Sequence, residues 1–112
     1  MSETKRVLLI DDLRQPSLIL NTYGIEVTKV TTTYTDGIAA LMNEKWDMLL
    51  LDHDLSSYDS NGKEQTGYDV MCFLEANPEY MPADILFVSA NPVGVQNMRR
   101  VLEAINRRKG DN

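Results

Sequence analysis

Three short apolar runs constrain the fold of this chain more than any other feature. Long polar segments separate the runs, and polar residues follow each one directly: VLLI at 7–10, MLLL at 48–51 and ILFV at 85–88. Continuous apolar runs of this length are typical of strands buried on both faces, as in a parallel sheet. The runs therefore predict strands over residues 6–10, 48–51 and 85–89.

The segments between these runs carry patterns for one more strand and several helices. Residues 25–31 alternate apolar and polar side chains and are rich in β-branched types, which predicts a half-exposed edge strand. Apolar residues at helical spacing predict helices in TDGIAALMNEK, TGYDVMCFLEANP and NPVGVQNMRRVLEAINRR. Asn91 is expected to cap the last of these, with Pro92 at its first position. The segment LRQPSLILNTYG has room only for a brief helix or an ordered loop, and SSYDSNGKEQTG is predicted to be a turn-rich surface loop or flap.

Alternating strand and helix patterns indicate an α/β fold. They predict a doubly wound, mainly parallel sheet of about four strands, with helices on both faces. At 112 residues, the chain suits one domain that spans 1–112. Ligands in such sheets bind beyond the carboxyl ends of the strands. The edge beside residues 85–89 has no predicted neighbour, so a homodimer that covers it is also a prediction.

Composition argues against several classes of function. The net charge of −6 disfavours extended binding to nucleic acid, which depends on Lys and Arg at phosphates. Cys72 is the only cysteine, so no internal disulfide is expected and a reducing compartment is the simpler location. The first residues lack the apolar stretch of a signal peptide, and no apolar run approaches the roughly 20 residues that span a bilayer. We expect a cytoplasmic protein without membrane association.

Polar residues follow all of the predicted central strands, and parallel pairing brings these strand ends together. They are Asp11 and Asp12, then Asp52, His53 and Asp54, then Ser89 and Asn91. Clustered carboxylates repel one another unless a cation lies among them, and oxygen ligands suit Mg²⁺ or Mn²⁺. The pattern predicts a divalent metal held by Asp11, Asp12, Asp52 and Asp54. For the pair at 11–12 alone, solvated acids at a strand end are the alternative.

Phosphate binding is predicted beside the metal. Ser89 can donate a hydrogen bond to a phosphoryl oxygen, and Asn91 opens a helix whose free N–H groups attract anions. In the alternative, both residues satisfy only the local backbone. Arg14 can clamp a phosphate or pair with Asp12. His53 has three possible roles: general acid or base, further metal ligand, or neutral imidazole bonded to a backbone carbonyl.

The stretches VLLIDD, DMLLLD and ILFVSA resemble the acidic pair, the phospho-acceptor strand and the hydroxyl-bearing strand of response-regulator receiver domains. The resemblance covers nearly the whole chain and implies a receiver-like, flavodoxin-like fold. It implies metal binding by Asp11 and Asp12, the acceptor position for Asp52 and a phosphate-contacting hydroxyl for Ser89.

The sequence is expected to depart from usual receivers, because it predicts no fifth strand that ends in a phosphate-pairing Lys and no helix after such a strand. DHD, SANPVG and DDLRQP are more similar to the cyclic-phosphate-processing receiver-like family, small phage or bacterial proteins inferred to act on cyclic phosphates.

These features together predict metal-dependent hydrolysis of a cyclic phosphodiester. The expected substrate is small, a nucleotide or a 2′,3′-cyclic end on RNA, and the predicted catalytic residues are Asp52, His53 and Asp54. Two other functions stay open. Asp52 can accept a phosphoryl group in a signalling module, or the domain can bind a partner without catalysis.

Overall fold

A four-stranded parallel sheet forms the centre of the computed structural model, which describes residues 5–110. Within this range the strands are β1 Val7–Ile10, β2 Lys29–Thr31, β3 Met48–Leu51, β4 Ser57–Tyr58, β5 Glu64–Gln65 and β6 Asp84–Phe87. The helices are α1 Pro16–Tyr23, α2 Tyr34–Asn43, α3 Gly67–Ala76 and α4 Pro92–Gly110, with a 3₁₀ turn at Pro78–Tyr80. The order β2-β1-β3-β6 makes neighbours of the three predicted central strands and confirms the predicted fold class.

Apolar layers cover both faces of the sheet. The side chains of β1 and β3 alternate between these two layers. Leu8 and Leu51 belong to a large cluster with residues of α2, α3 and α4. Leu9 and Leu50 point into a smaller cluster with Ile19 of α1. Each fully buried leucine contributes about 1.5–3 kcal/mol relative to an exposed one. This two-sided burial explains why the central strands are continuous apolar runs.

Two predicted strands differ in their bounds. The predicted strand at 25–31 is confined to β2, because ladder pairing with β1 begins only at Leu8 and Lys29. The predicted strand at 85–89 becomes β6, which starts and ends earlier because its pairing with β3 begins at Asp84 and Met48 and ends at Phe87 and Leu51.

The brief helix left open for LRQPSLILNTYG is present, whereas SSYDSNGKEQTG holds more regular structure than predicted. LRQPSLILNTYG contains α1, in which Pro16 takes the first position. Gly24 ends this helix at φ 69°, and its N–H donates to the Leu20 carbonyl at 2.9 Å. SSYDSNGKEQTG, predicted as a loop, contains the antiparallel pair β4 and β5. Proline in the first turn and glycine in a left-handed cap are favourable for a short helix.

The outer edge of β6 pairs with no strand in the described part of the chain. The homodimer predicted through this edge stays a prediction. None of the described helices is both long enough and apolar enough to cross a bilayer.

Candidate functional site

The strand register brings the carboxyl ends of β1 and β3 to the same level. Ile10 pairs with Leu51, and the next residues continue the ladder: the Asp52 N–H donates to the Ile10 carbonyl and the Asp11 N–H to the Thr31 carbonyl, each at 3.0 Å. Asp11 and Asp52 therefore leave adjacent strands side by side, as the sequence predicted.

Three carboxylates meet at this edge. Asp11, Asp12 and Asp52 each place an oxygen within 4.8 Å of the others, and we call them the carboxylate group. Asp11 is 1% exposed and Asp52 is 4% exposed. Asp54, the fourth predicted ligand, lies outside the group, and its Oδ1 is 2.9 Å from His53 Nδ1. The expected shared face of Asp52 and Asp54 requires extended backbone through both residues, and the strand ends at Leu51.

Arg14 places a positive charge against this group. Its Nη1 is 2.9 Å from Asp11 Oδ2 and 3.5 Å from Asp52 Oδ2. The N–H groups of Leu13 and Arg14 donate to Asp11 Oδ1 at 2.9 and 3.1 Å, which wraps the loop around this carboxylate. The alternative that pairs Arg14 with Asp12 is therefore corrected, because the guanidinium contacts the two more deeply buried acids. Its predicted contact with phosphate stays a prediction.

The surroundings of Asp52 change the pKa of its carboxyl group. Burial and the neighbouring charge of Asp11 raise the pKa of Asp52 above its ordinary value. The Ser89 hydroxyl, the Arg14 charge and the His53 N–H act in the opposite direction, the last through a 2.8 Å hydrogen bond to Oδ1. The raised pKa shows that burial and repulsion outweigh these partners. A cation at the group would relieve both effects.

Asp12 supplies a test of whether the site fits a metal ion. Its Oδ2 accepts a 2.8 Å hydrogen bond from Ser56 Oγ. Its Oδ1 is buried and has no hydrogen-bond partner among the described residues. An unpaired buried carboxylate oxygen is costly, and a hard divalent cation is the partner that suits such oxygen donors. The residues therefore fit Mg²⁺ or Mn²⁺, with the carboxylate group as the ligands.

The loop between β6 and α4 carries the predicted phosphate contacts. The Asn91 N–H donates to Ser89 Oγ at 3.0 Å. The Gly94 N–H donates to Asn91 Oδ1, also at 3.0 Å, so Asn91 caps α4 as predicted. Ser89 lies close enough to Asp52 to lower the pKa of its carboxyl group. Both residues border the site, and their contact with phosphate stays a prediction.

The imidazole of His53 lies to one side of the carboxylate group. Nδ1 contacts Asp54 Oδ1 and is 3.5 Å from Asn91 Nδ2, so its partner is a carboxylate and not the backbone carbonyl considered above. The ring packs on Gly94, where a Cβ would lie 2.4 Å from His53 Cγ. It lines an open groove of about 500 Å³ between α3 and α4. A metal-ligand role is not reproduced, because neither ring nitrogen belongs to the group.

Two residues of this site were missed by the sequence analysis. Gly67 packs directly beneath Asp52, since a Cβ there would lie 2.1 Å from the Asp52 carbonyl oxygen. Its position after the capping Thr66 gave a weak signal for this close approach. Ser56 contacts Asp12 and has φ 50°. Nothing in the sequence indicates a positive φ at a serine.

The fold and this site define a receiver-like α/β domain with an acidic centre at the carboxyl edge of its sheet. Residues 6–104 match the family described as Cyclic-phosphate processing Receiver domain. The chain belongs to this family, and the resemblance inferred from the sequence is confirmed. No curated protein matches the sequence.

Solved structures that are similar to this chain share little sequence identity with it. One is a fusion titled as the yeast Spc42 trimeric coiled coil, amino acids 181–211, joined to another structure, with TM-score 0.61 and 22% identity over 88% of this chain. This chain spans 63% of the length of that fusion. Another is a CheY-like response regulator receiver domain protein from Methanospirillum hungatei JF-1, with TM-score 0.46 and 16% identity over 98% of this chain and 100% of that chain.

Proposed function

We propose that this chain is a metal-dependent phosphohydrolase that opens a cyclic phosphate on a nucleotide or an RNA end. One observation carries the proposal: the carboxylate group, with its unpaired buried oxygen on Asp12, occupies the ligand-binding edge of a cyclic-phosphate processing receiver fold. The net charge of −6 favours a small substrate over an extended nucleic acid.

The proposed reaction adds water across one ester bond. A water oxygen bonds to phosphorus, one of the two ring P–O bonds breaks, and the released oxygen takes a proton, which leaves a phosphomonoester beside a free hydroxyl. The carboxylate group would hold a divalent ion, which would supply polarisation of a phosphate oxygen and activation of the attacking water.

Arg14 and Ser89 orient the phosphate in this proposal. The Arg14 side chain is 24% exposed. Its guanidinium has five N–H donors, and those on Nη1 face Asp11. The remaining donors can reach a phosphate oxygen while Asp11 keeps the head group in place. Ser89 offers a hydroxyl beside Asp52.

His53 and Asp54 are proposed as the pair that exchanges the proton with the leaving oxygen. Asp54 accepts from Nδ1, which fixes the ring and leaves Nε2 as the nitrogen for proton transfer. The contact between Nδ1 and Asp54 supports this role, which is one of the three that the sequence left open for His53.

A substrate panel tests the proposal. Purified protein with Mg²⁺ or Mn²⁺ is incubated with 2′,3′- and 3′,5′-cyclic nucleotides and with RNA that ends in a 2′,3′-cyclic phosphate. We expect phosphomonoester product from at least one member and none from Asp52→Asn. Asp84→Asn is the matched control, because Asp84 is an exposed aspartate at the start of β6, at the amino end of the sheet. Absence of product across the panel would overturn the proposal.

Phosphoryl acceptance by Asp52 is the second candidate, since Asp52 is buried at the end of a central strand beside Arg14 and Ser89. Incubation with acetyl phosphate followed by intact-mass measurement separates the two functions. A phosphoryl adduct that Asp52→Asn abolishes, together with no turnover of cyclic phosphates, would favour signalling. Turnover without an adduct supports the hydrolase.

A further inference from the structure

Ser56 has an unusual backbone for a serine, and its position is held from both sides. Its φ is 50°, and it is the one residue other than glycine with positive φ in the described range. Leu55 is 1% exposed within the core. Ser57 is buried and accepts a 3.1 Å hydrogen bond from the Tyr34 N–H at the start of α2. Because both neighbours are anchored, Ser56 cannot relax without disturbing the core or α2.

This backbone directs the Ser56 hydroxyl at the carboxylate group. Ser56 Oγ donates to Asp12 Oδ2 at 2.8 Å. One oxygen of Asp12 is thereby engaged, which limits rotation of the carboxylate, and Oδ1 is left buried without a partner. Partners of this kind orient metal-binding carboxylates in proteins and raise the affinity of the site.

We propose that Ser56 is a positioning residue for Asp12, whose strained backbone holds the hydroxyl where it turns the free Asp12 oxygen toward a bound divalent cation. The proposal rests on the metal site of the proposed function and adds a residue that neither the family match nor the motifs assign. Ser56 itself is not a ligand in this account. It acts through the orientation of Asp12.

Substitution by glycine separates positioning from a structural role. Glycine adopts positive φ without steric cost, so Ser56→Gly keeps or raises the melting temperature. The same change removes the hydroxyl, so the dissociation constant for Mn²⁺, measured by titration calorimetry on the full chain, increases on the order of 10-fold. Ser60→Gly is the control, an exposed serine in the turn between β4 and β5, and leaves Mn²⁺ affinity unchanged.

A double-mutant cycle with Asp12→Asn assigns the effect to the contact. If Ser56 acts through Asp12, Ser56→Gly in the Asp12→Asn background produces no further loss of Mn²⁺ affinity. A full further loss in that background would overturn the proposal, because the hydroxyl would then act elsewhere.

The remaining outcomes distinguish this inference from the proposed function. Mn²⁺ affinity of Ser56→Gly equal to that of the unaltered chain overturns the role of Ser56 and leaves the metal site intact. A fall in both melting temperature and affinity also overturns it, since Ser56 would then be structural. Failure of the unaltered chain to bind Mn²⁺ overturns the positioning role and the metal dependence together.

Discussion

The two ends of the central sheet differ in how their charged side chains are arranged. At the amino end, Arg6 forms an ion pair with Glu44, whose side chains are 46% and 41% exposed. The Arg6 guanidinium also lies 4.9 Å over the Trp46 ring, and the backbone N–H of Arg6 donates to Asp47 Oδ2 at 2.8 Å. Opposite charges therefore meet in solvent at that end, where screening makes such pairs weak and structurally tolerant.

At the carboxyl end, like charges are buried together. The carboxylate group has Arg14 as a close cation, and Asp12 keeps a buried oxygen without a partner. The burial of like charges lowers the stability of the folded chain, whereas the exposed ion pair at the amino end does not lower it. Local destabilisation at one end of a well-packed sheet is typical of a ligand site, because the ligand supplies the missing partner.

The largest expected effect follows substitution of the central carboxylate. Asp52→Asn removes a ligand oxygen and lowers turnover of cyclic phosphate by more than about 100-fold. The same change removes a buried charge with a raised pKa, so the melting temperature in the absence of metal increases. Steady-state kinetics and calorimetry check both results. A lower melting temperature for Asp52→Asn would contradict the claim that the buried carboxylates lower the stability of the folded chain.

His53→Ala is expected to have the next largest effect. It removes the ring that Asp54 orients and slows turnover on the order of 100-fold, within the usual range for loss of an acid or base. Mn²⁺ affinity stays unchanged, because His53 lies outside the carboxylate group. Asn97→Ala, which alters the same groove, is the control and retains turnover. Loss of Mn²⁺ binding by His53→Ala would contradict this separation.

The stability difference between Asp52→Asn and the unaltered chain depends on pH. The folded-state pKa of Asp52 is raised above its unfolded value, so the folded chain binds the proton more tightly. The resulting stability is present at low pH and is lost as the pH rises through the folded-state pKa. The advantage of Asp52→Asn in melting temperature is therefore greatest at neutral pH and shrinks on acidification. Calorimetry without metal, from neutral to acidic pH, checks this prediction. A difference in melting temperature that does not change with pH would contradict it.

The smallest effect is expected at the amino end. Glu44→Gln removes the exposed ion pair with Arg6 and changes the free energy of unfolding by less than about 1 kcal/mol. Turnover and Mn²⁺ affinity do not change. Urea titration and the kinetic assay check these values. A loss of turnover in Glu44→Gln would show that the two ends are coupled.

The central strands could be predicted from the sequence because burial on both faces requires continuous apolar runs. β3 has the predicted bounds, 48–51, and β1 differs by one residue from the predicted 6–10. The start of β2 could not be predicted, because alternation does not show where pairing with β1 begins. For α1 the sequence left a brief helix and an ordered loop open, and the structure has the brief helix, which Pro16 starts and Gly24 ends.

The site residues that could be placed from the sequence are those that directly follow a strand. Asp11 and Asp52 follow directly from the register of β1 and β3. The placement of Asp54 depends on where the backbone leaves the strand, and the partner of Arg14 depends on the path of its loop. Ser56 was missed because its contact depends on a left-handed backbone that its anchored neighbours impose.

Phosphorus NMR of one cyclic phosphate, incubated with the protein and Mg²⁺ or Mn²⁺ before and after addition of EDTA, tests the central claim most directly. We expect a phosphomonoester signal to grow in the presence of the metal and to stop growing when EDTA removes the ion. Growth that continues unchanged in excess EDTA, or no phosphomonoester from any substrate of the panel with either metal, would contradict the account.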